Sequence, residues 1–110
     1  MTDSGKYLIP HVPPGRKQFS YRPAGARWWT TIPITMVQKL AIIANEAPIV
    51  QGGQYGWRAL DVAAGESRRL WAVEWEQTEP KRTGFTVTHL TSLGKEVLED
   101  YFRKNPPSAS

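Results

Sequence analysis

Residues 85–101 read FTVTHLTSLGKEVLEDY, and this stretch decides the fold. Phe85, Val87 and His89 alternate with Thr86, Thr88 and Leu90 in a segment rich in β-branched residues, which reads as a strand over 85–91. The period then changes. Leu93, Val97, Leu98, Tyr101 and Phe102 form one stripe of a helix over 92–104. Thr91 stands at its N-cap, Arg103 and Lys104 suit its negative end, and Asn105-Pro106-Pro107 stops it. Upstream, Trp71, Val73 and Trp75 alternate with Ala72, Glu74 and Glu76, and TEPKRTG at 78–84 carries the turn formers Pro80 and Gly84. Strand, basic loop and strand make a hairpin.

The stretch ESRRLWAVEWEQ at 66–77 admits two readings. Its period of two argues for a strand, while a Ser67 cap and Trp71 and Trp75 at i and i+4 suit a helix. A short helix over 67–73 passing into a strand near 74–77 reconciles them. Before it, Met36, Val37, Leu40, Ala41, Ile43, Ala44 and Ala47 give the apolar face of a helix over 34–46, capped by Thr31 or Thr35 and stopped by Pro48. Gln38, Lys39, Asn45 and Glu46 lie largely opposite. A short strand, 48–50, and a loop at Gln51-Gly52-Gly53-Gln54 follow. Residues 55–64 then form a second helix with Trp57, Leu60 and Ala64 on one face and Gly65 as its C-terminal cap.

Residues 1–27 contain Pro10, Pro13, Pro14 and Pro23 and read as an extended arm, because proline fixes φ and lacks a donor. Its Tyr7, Leu8, Ile9, Phe19 and Tyr21 would drape over a domain spanning 28–105, with 106–110 a disordered tail. Trp28 and Trp29 are expected to anchor packing rather than to stack on bases.

Leu90, Thr91, Gly94 and Leu98 spell an LT-x-x-G-x-x-x-L pattern. It resembles the end of the wing and the following helix in MarR-like winged-helix regulators. The leucine leaves the strand into the core, the threonine caps the helix, and the glycine lets the first turn approach the sheet. The resemblance implies an α+β winged helix-turn-helix of three to four short helices with a β-hairpin wing, here behind a proline-rich arm. It also implies binding of double-stranded DNA, with a recognition helix in the major groove and the wing on the backbone. This N-terminus supplies no terminal helix, so dimerisation and ligand response are not implied.

The charge distribution fits that expectation. The net charge is +4, and residues 1–33 hold all of the excess, with Lys6, Arg16, Lys17, Arg22 and Arg27 against Asp3 alone. A basic arm on a neutral domain attracts polyanions by counterion release. Arg68 and Arg69 fall where a recognition helix would begin, one reaching bases and the other phosphate. Otherwise they are a solvated pair near Glu66, Glu74 and Glu76. Lys81 and Arg82 fall at the hairpin tip, as phosphate contacts or as ordinary loop charge. Arg16 and Lys17, after Pro13-Pro14-Gly15, suit a minor groove or phosphate if they are not simply disordered.

Enzymatic chemistry finds no support. There is no cysteine, and His11 and His89 lie far apart, so disulfides and a metal site are not expected. His89 reads as structural. No hydroxyl has a histidine or lysine at activating spacing, and Gly52-Gly53 lacks a phosphate loop's lysine. Neither a cofactor nor a small-molecule ligand is expected. No run of about 18 apolar residues and no signal-peptide stretch in the first 30 residues occur, which points to the cytoplasm. The function expected is a small DNA-binding transcriptional regulator or accessory factor. The alternative is a protein-interaction module, of the kind a phage could encode, that binds and modulates a host protein; five tryptophans and the glutamates near the hairpin favour it. A third course is single-strand or RNA binding through the aromatic arm.

Overall fold

The computed structural model describes residues 7–12, 14–79 and 82–106. Within them the element order is β1 (Gln18–Tyr21), β2 (Thr30–Pro33), α1 (Ile34–Glu46), β3 (Ile49–Val50), α2 (Ala59–Ser67), β4 (Trp71–Glu79), β5 (Arg82–Leu90) and α3 (Ser92–Lys104). The fold is thus α+β, with three helices and two small antiparallel sheets among the described residues. β1 and β2 form a two-stranded ribbon, and the second sheet has the order β3-β5-β4. Lys81 and residues 107–110, the end of the expected tail, lie outside the described residues.

α1 has the bounds its periodicity predicts, and Ile34, Val37, Leu40, Ala41 and Ile43 are buried. Its start is not as expected. Pro33 occupies the N-cap without a side-chain bond, because Thr31 is already paired to Ser20 in the ribbon. A backbone group takes the threonine's place: the Ile34 N–H donates to the Lys17 carbonyl at 2.9 Å.

The expected helix over 55–64 begins four residues later and ends three later, as α2. Gly65 is not its cap but a buried residue inside it. The Trp71 indole occupies the space where a Gly65 side chain would stand. That indole is buried, donates Nε1–H to the Val62 carbonyl at 3.0 Å, and stacks on Trp57 with centroids 6.5 Å apart. Leu60 and Ala64 point outward, and Val62, not Leu60, faces the core.

The proposed helix over 67–73 is absent. α2 ends in a Schellman turn: Leu70 N–H bonds to the Gly65 carbonyl, Arg69 N–H to the Glu66 carbonyl, and Arg69 takes φ 63°. β4 then starts at Trp71, paired to Leu90. The period of two was the correct signal because the facing strand supplies the hydrogen bonds. β4 and β5 also extend to Glu79 and Arg82, so the connection is much tighter than the 78–84 loop expected, and Gly84 is within the strand.

β5 does not alternate throughout. Ala72 pairs with His89 but Val73 with Val87, so Thr88 is a bulge. Leu90 therefore joins Phe85 and Val87 in the core, and His89 is exposed. It is not a core histidine.

α3 is capped as expected, Thr91 Oγ1 accepting from the Gly94 N–H at 3.0 Å. A Cβ on Gly94 would run into the Leu70 carbonyl oxygen and lie 3.4 Å from Leu40 Cδ2. Close approach is thus the glycine's role, and its partner is the turn entering β4.

The core also draws on residues before 28. Phe19 and Tyr21 of β1 are buried with Ile32 of β2, and Phe19 meets Tyr101 edge-on at 5.2 Å. Residues 7–12 run along the polar side of α1. Asn45 accepts from Tyr7 N–H and donates to its carbonyl, at 2.7 and 2.8 Å, and Gln38 donates to the Pro10 carbonyl at 2.7 Å.

Two glycines test this packing. Gly→Ala in an exposed helix interior gains about 1 kcal/mol in propensity, but overpacking costs about 1–3 kcal/mol. Gly65→Ala and Gly94→Ala should both lower the urea midpoint. Gly94→Ala should lower it more, because it meets a hydrogen-bonded backbone carbonyl rather than a side chain. An unchanged midpoint for Gly94→Ala would contradict the contact.

Candidate nucleic-acid interface

The two arginines expected on a recognition helix occupy the Schellman turn between α2 and β4. Arg68 is the C-cap of α2, and its Nη1 donates to the Thr31 carbonyl of β2 at 3.0 Å. Arg69, exposed, holds the left-handed backbone position. Thr91 fixes this turn, because its hydroxyl donates to the Arg69 carbonyl and its N–H to the Leu70 carbonyl. One threonine therefore caps α3 and clamps the turn that presents both arginines. The exposed face of α2 itself is Leu60, Ala64 and Ser67, with Arg58 at its N-cap paired to Asp61 at 3.4 Å.

The nearby carboxylates are mostly turned away or engaged. Strand alternation aims Trp75 at α2, where its Nε1–H donates to Glu66 at 2.9 Å and its ring meets Phe85 at 6.1 Å. Glu74 and Glu76 are on the opposite, open face of the sheet beside Thr86 and Gly84. Arg82 opens β5 opposite Glu79; Lys81, its expected companion, is outside the described residues.

A second cationic surface lies where the ribbon meets the end of α3. Arg16 and Lys17 are exposed here rather than on a free arm: the Lys17 carbonyl is held by Ile34, and Arg16 lines a cavity of about 300 Å³ with Phe19, Tyr101 and Asn105. Trp28 and Trp29, expected to anchor packing, are 77% and 60% exposed. β1 and β2 turn Phe19, Tyr21 and Ile32 inward, and the tryptophans fall in the connection beyond them. The Trp29 ring has the Arg22 guanidinium carbon 5.7 Å and the Lys104 ammonium 5.4 Å from its centroid. Lys104 and Arg103 share one carboxylate, Asp100, at 3.1 and 3.3 Å. The sequence reading missed Arg22, Trp29 and Lys104 as a group. The available signal was a tryptophan pair inside the basic third of the chain.

Arg68 ties the two surfaces together. With Tyr21, Pro23, Thr30 and Ile32 of the ribbon and Leu70, Leu93 and Val97 it lines a groove of about 200 Å³. No protein-family model matches this chain, nor does any curated protein or solved structure.

Tyr21 provides a titration test of how the ribbon docks. Its hydroxyl donates to Glu96 at 3.1 Å. Burial first, and then the Glu96 bond and charge, push its pKa up to about 12. A folded-state value above the unfolded value of about 10 favours the neutral phenol. The resulting stability is therefore complete below pH ~10 and is lost as pH rises toward 12. The wild type should lose on the order of 2 kcal/mol more than Tyr21→Phe over that interval, measured by urea unfolding. Parallel declines would contradict the docking.

Proposed function

We propose that this chain is a winged-helix protein of the cytoplasm that binds nucleic acid, with duplex DNA as its target. One observation carries the reading. Among the described residues, Arg16, Lys17, Arg22, Arg68 and Arg69 are exposed and make no ion pair, while Glu74 and Glu76 are on the open face of the sheet. Cations without carboxylate partners can exchange their counterions for phosphates.

The element order lends support. Helix, strand, helix, hairpin and helix, with the strands ordered β3-β5-β4, is compatible with a winged helix in which α2 alone stands between β3 and β4, without the separate helix expected over 67–73. In this reading α2 faces the groove, Arg68 and Arg69 hold phosphates at its end, and the β4–β5 hairpin acts as the wing. A domain of this kind serves as a transcriptional regulator or an accessory DNA-binding factor. No helix of the described residues is long and apolar enough to cross a membrane.

Arg69 adds a point of its own. A non-glycine residue at positive φ costs about 1–3 kcal/mol and persists where function or surroundings hold it. Glycine would suit this turn better, so keeping arginine here favours a use for its side chain.

A second reading, as a protein-docking module, is favoured by Leu60, which is 76% exposed on α2. A protein partner would cover that leucine, Ala64 and Trp75, whereas a phosphate backbone would leave them unused.

Arg69→Gly separates stability from binding. The left-handed cost is about 1–2 kcal/mol and glycine's entropic cost about 0.5–1, so the variant should be equally or slightly more stable. Its affinity for random duplex, by fluorescence anisotropy, should fall, and the slope of log K against log salt should become shallower by about 0.9. An unchanged slope would remove Arg69 from the interface. No wild-type duplex binding tighter than about 10⁻⁴ M at physiological salt would sink the DNA reading and leave the Leu60 face as the site to mutate in a partner assay.

A further inference from the structure

The connection between β1 and β2 holds two large apolar rings in water. A buried tryptophan contributes 150–250 Å² of contact area, roughly, and Trp28 and Trp29 largely forgo it, being 77% and 60% exposed. The exposure is not a sign of a loose segment. The Arg22 guanidinium and the Lys104 ammonium both lie over the Trp29 ring, at 5.7 and 5.4 Å. Lys104 is itself 5.6 Å from the Phe19 ring and 3.1 Å from Asp100. Phe19 is a core residue, so the chain at residue 29 is tied to the rigid end of α3. The next residue back, Trp28, is thereby projected from a fixed point. Ala24, Gly25 and Ala26, also in this connection, are too small to cover it.

The chemistry around the pair narrows the partner. Arg22 and Lys104 lie over Trp29, Arg27 precedes the pair in sequence, and Lys104 shares Asp100 with its neighbour Arg103. A ligand that suits the surface carries negative charge at repeated intervals and presents a flat π face between the charges. Single-stranded nucleic acid does both. A duplex hides its base faces in the stack, and an acidic peptide lacks the π face. Base–aromatic stacking is tolerant of sequence and is worth about 1–3 kcal/mol per base.

We infer that this end of the molecule is a stacking site for an unpaired base of single-stranded nucleic acid. Trp28 is the platform, and Arg22 and Lys104, held on Trp29, are the contacts to the flanking phosphates. The inference rests on the nucleic-acid reading above but not on α2 or the hairpin. It gives the chain a function separate from groove binding, at the β1–β2 connection and the end of α3.

The test uses the full chain with labelled oligodeoxythymidylate, oligouridylate, a random duplex and heparin, a polyanion without bases. Trp28→Ala should weaken the bound oligomer by about 5- to 150-fold, the fold-change equivalent of the stacking energy. Trp28→Phe should keep most of the affinity, and heparin binding should not change. Arg22→Ala should make the salt slope for the oligomer shallower by about 0.7. Preference for one oligomer identifies the strand as DNA or RNA. Circular dichroism should match the wild type throughout, since the ring is outside the core. The inference is overturned if Trp28→Ala leaves the oligomers unaffected, or weakens heparin as much as the oligomers. A wild type that binds duplex but neither oligomer overturns this inference alone; one that binds no nucleic acid overturns the proposed function with it.

Discussion

The first turn of α3 lies against the backbone of Leu70, and at Gly94 there is space for a hydrogen only. Thr91 completes the contact, accepting from Gly94 N–H, donating its hydroxyl to the Arg69 carbonyl and its own N–H to the Leu70 carbonyl. Three chain segments meet at these few atoms: the end of α2, the start of β4 and the exit from β5. The Schellman turn at Arg69 needs a support on its outer side, and the α3 cap is that support. If α3 were to stand off by a methyl group, the turn, the Trp71 indole packed on Gly65 and the β4 register would all be affected.

A second tie brings residues 7–12 and 14–33 into the same body. Polar residues on α1 that would usually face water, Gln38 and Asn45, satisfy the backbone of Tyr7 and Pro10. Lys17 provides the carbonyl that α1 needs at its first turn. The basic segment is therefore positioned, and its cations are presented by a ribbon and a helix end. Preorganised cations lose less side-chain and chain entropy on binding a polyanion than cations on a free arm. This gives the uneven charge of the sequence a structural meaning.

How far the sequence discloses these features depends on whether the deciding interaction is local. α1, α3 and the Thr91 cap were legible because periodicity and capping act within a few residues. The closeness at Gly94 was legible as well, though not its partner. α2 was displaced by three to four residues because Gly65 answers to Trp71, a residue beyond the helix, and a glycine near a helix end otherwise reads as a cap. The strand at Trp71 was ambiguous because its partner is nearly twenty residues away. Leu90 was expected in the core and is buried there, but the Thr88 bulge that brings it in beside Val87 and exposes His89 is marked by no residue pattern within β5. At the site, Arg68 and Arg69 were singled out by type but given a helix they do not have. Trp28 and Trp29 were assigned to the core because tryptophan is mostly buried; only the ribbon register and the position of Lys104 show otherwise.

In the proposed function, the cations of the ribbon, the α2–β4 turn and the α3 end form a nucleic-acid-binding surface while the open face of the sheet does not. Amide and indole chemical-shift mapping during titration with a short DNA, once as duplex and once as single strand, tests it most directly. Shifts are expected at Arg68 and Arg69 with the duplex and at Arg22, Trp28, Trp29 and Lys104 with the single strand, and none at Glu74, Glu76 or Val50. Shifts confined to the open sheet face, or no shifts with either DNA, would contradict it.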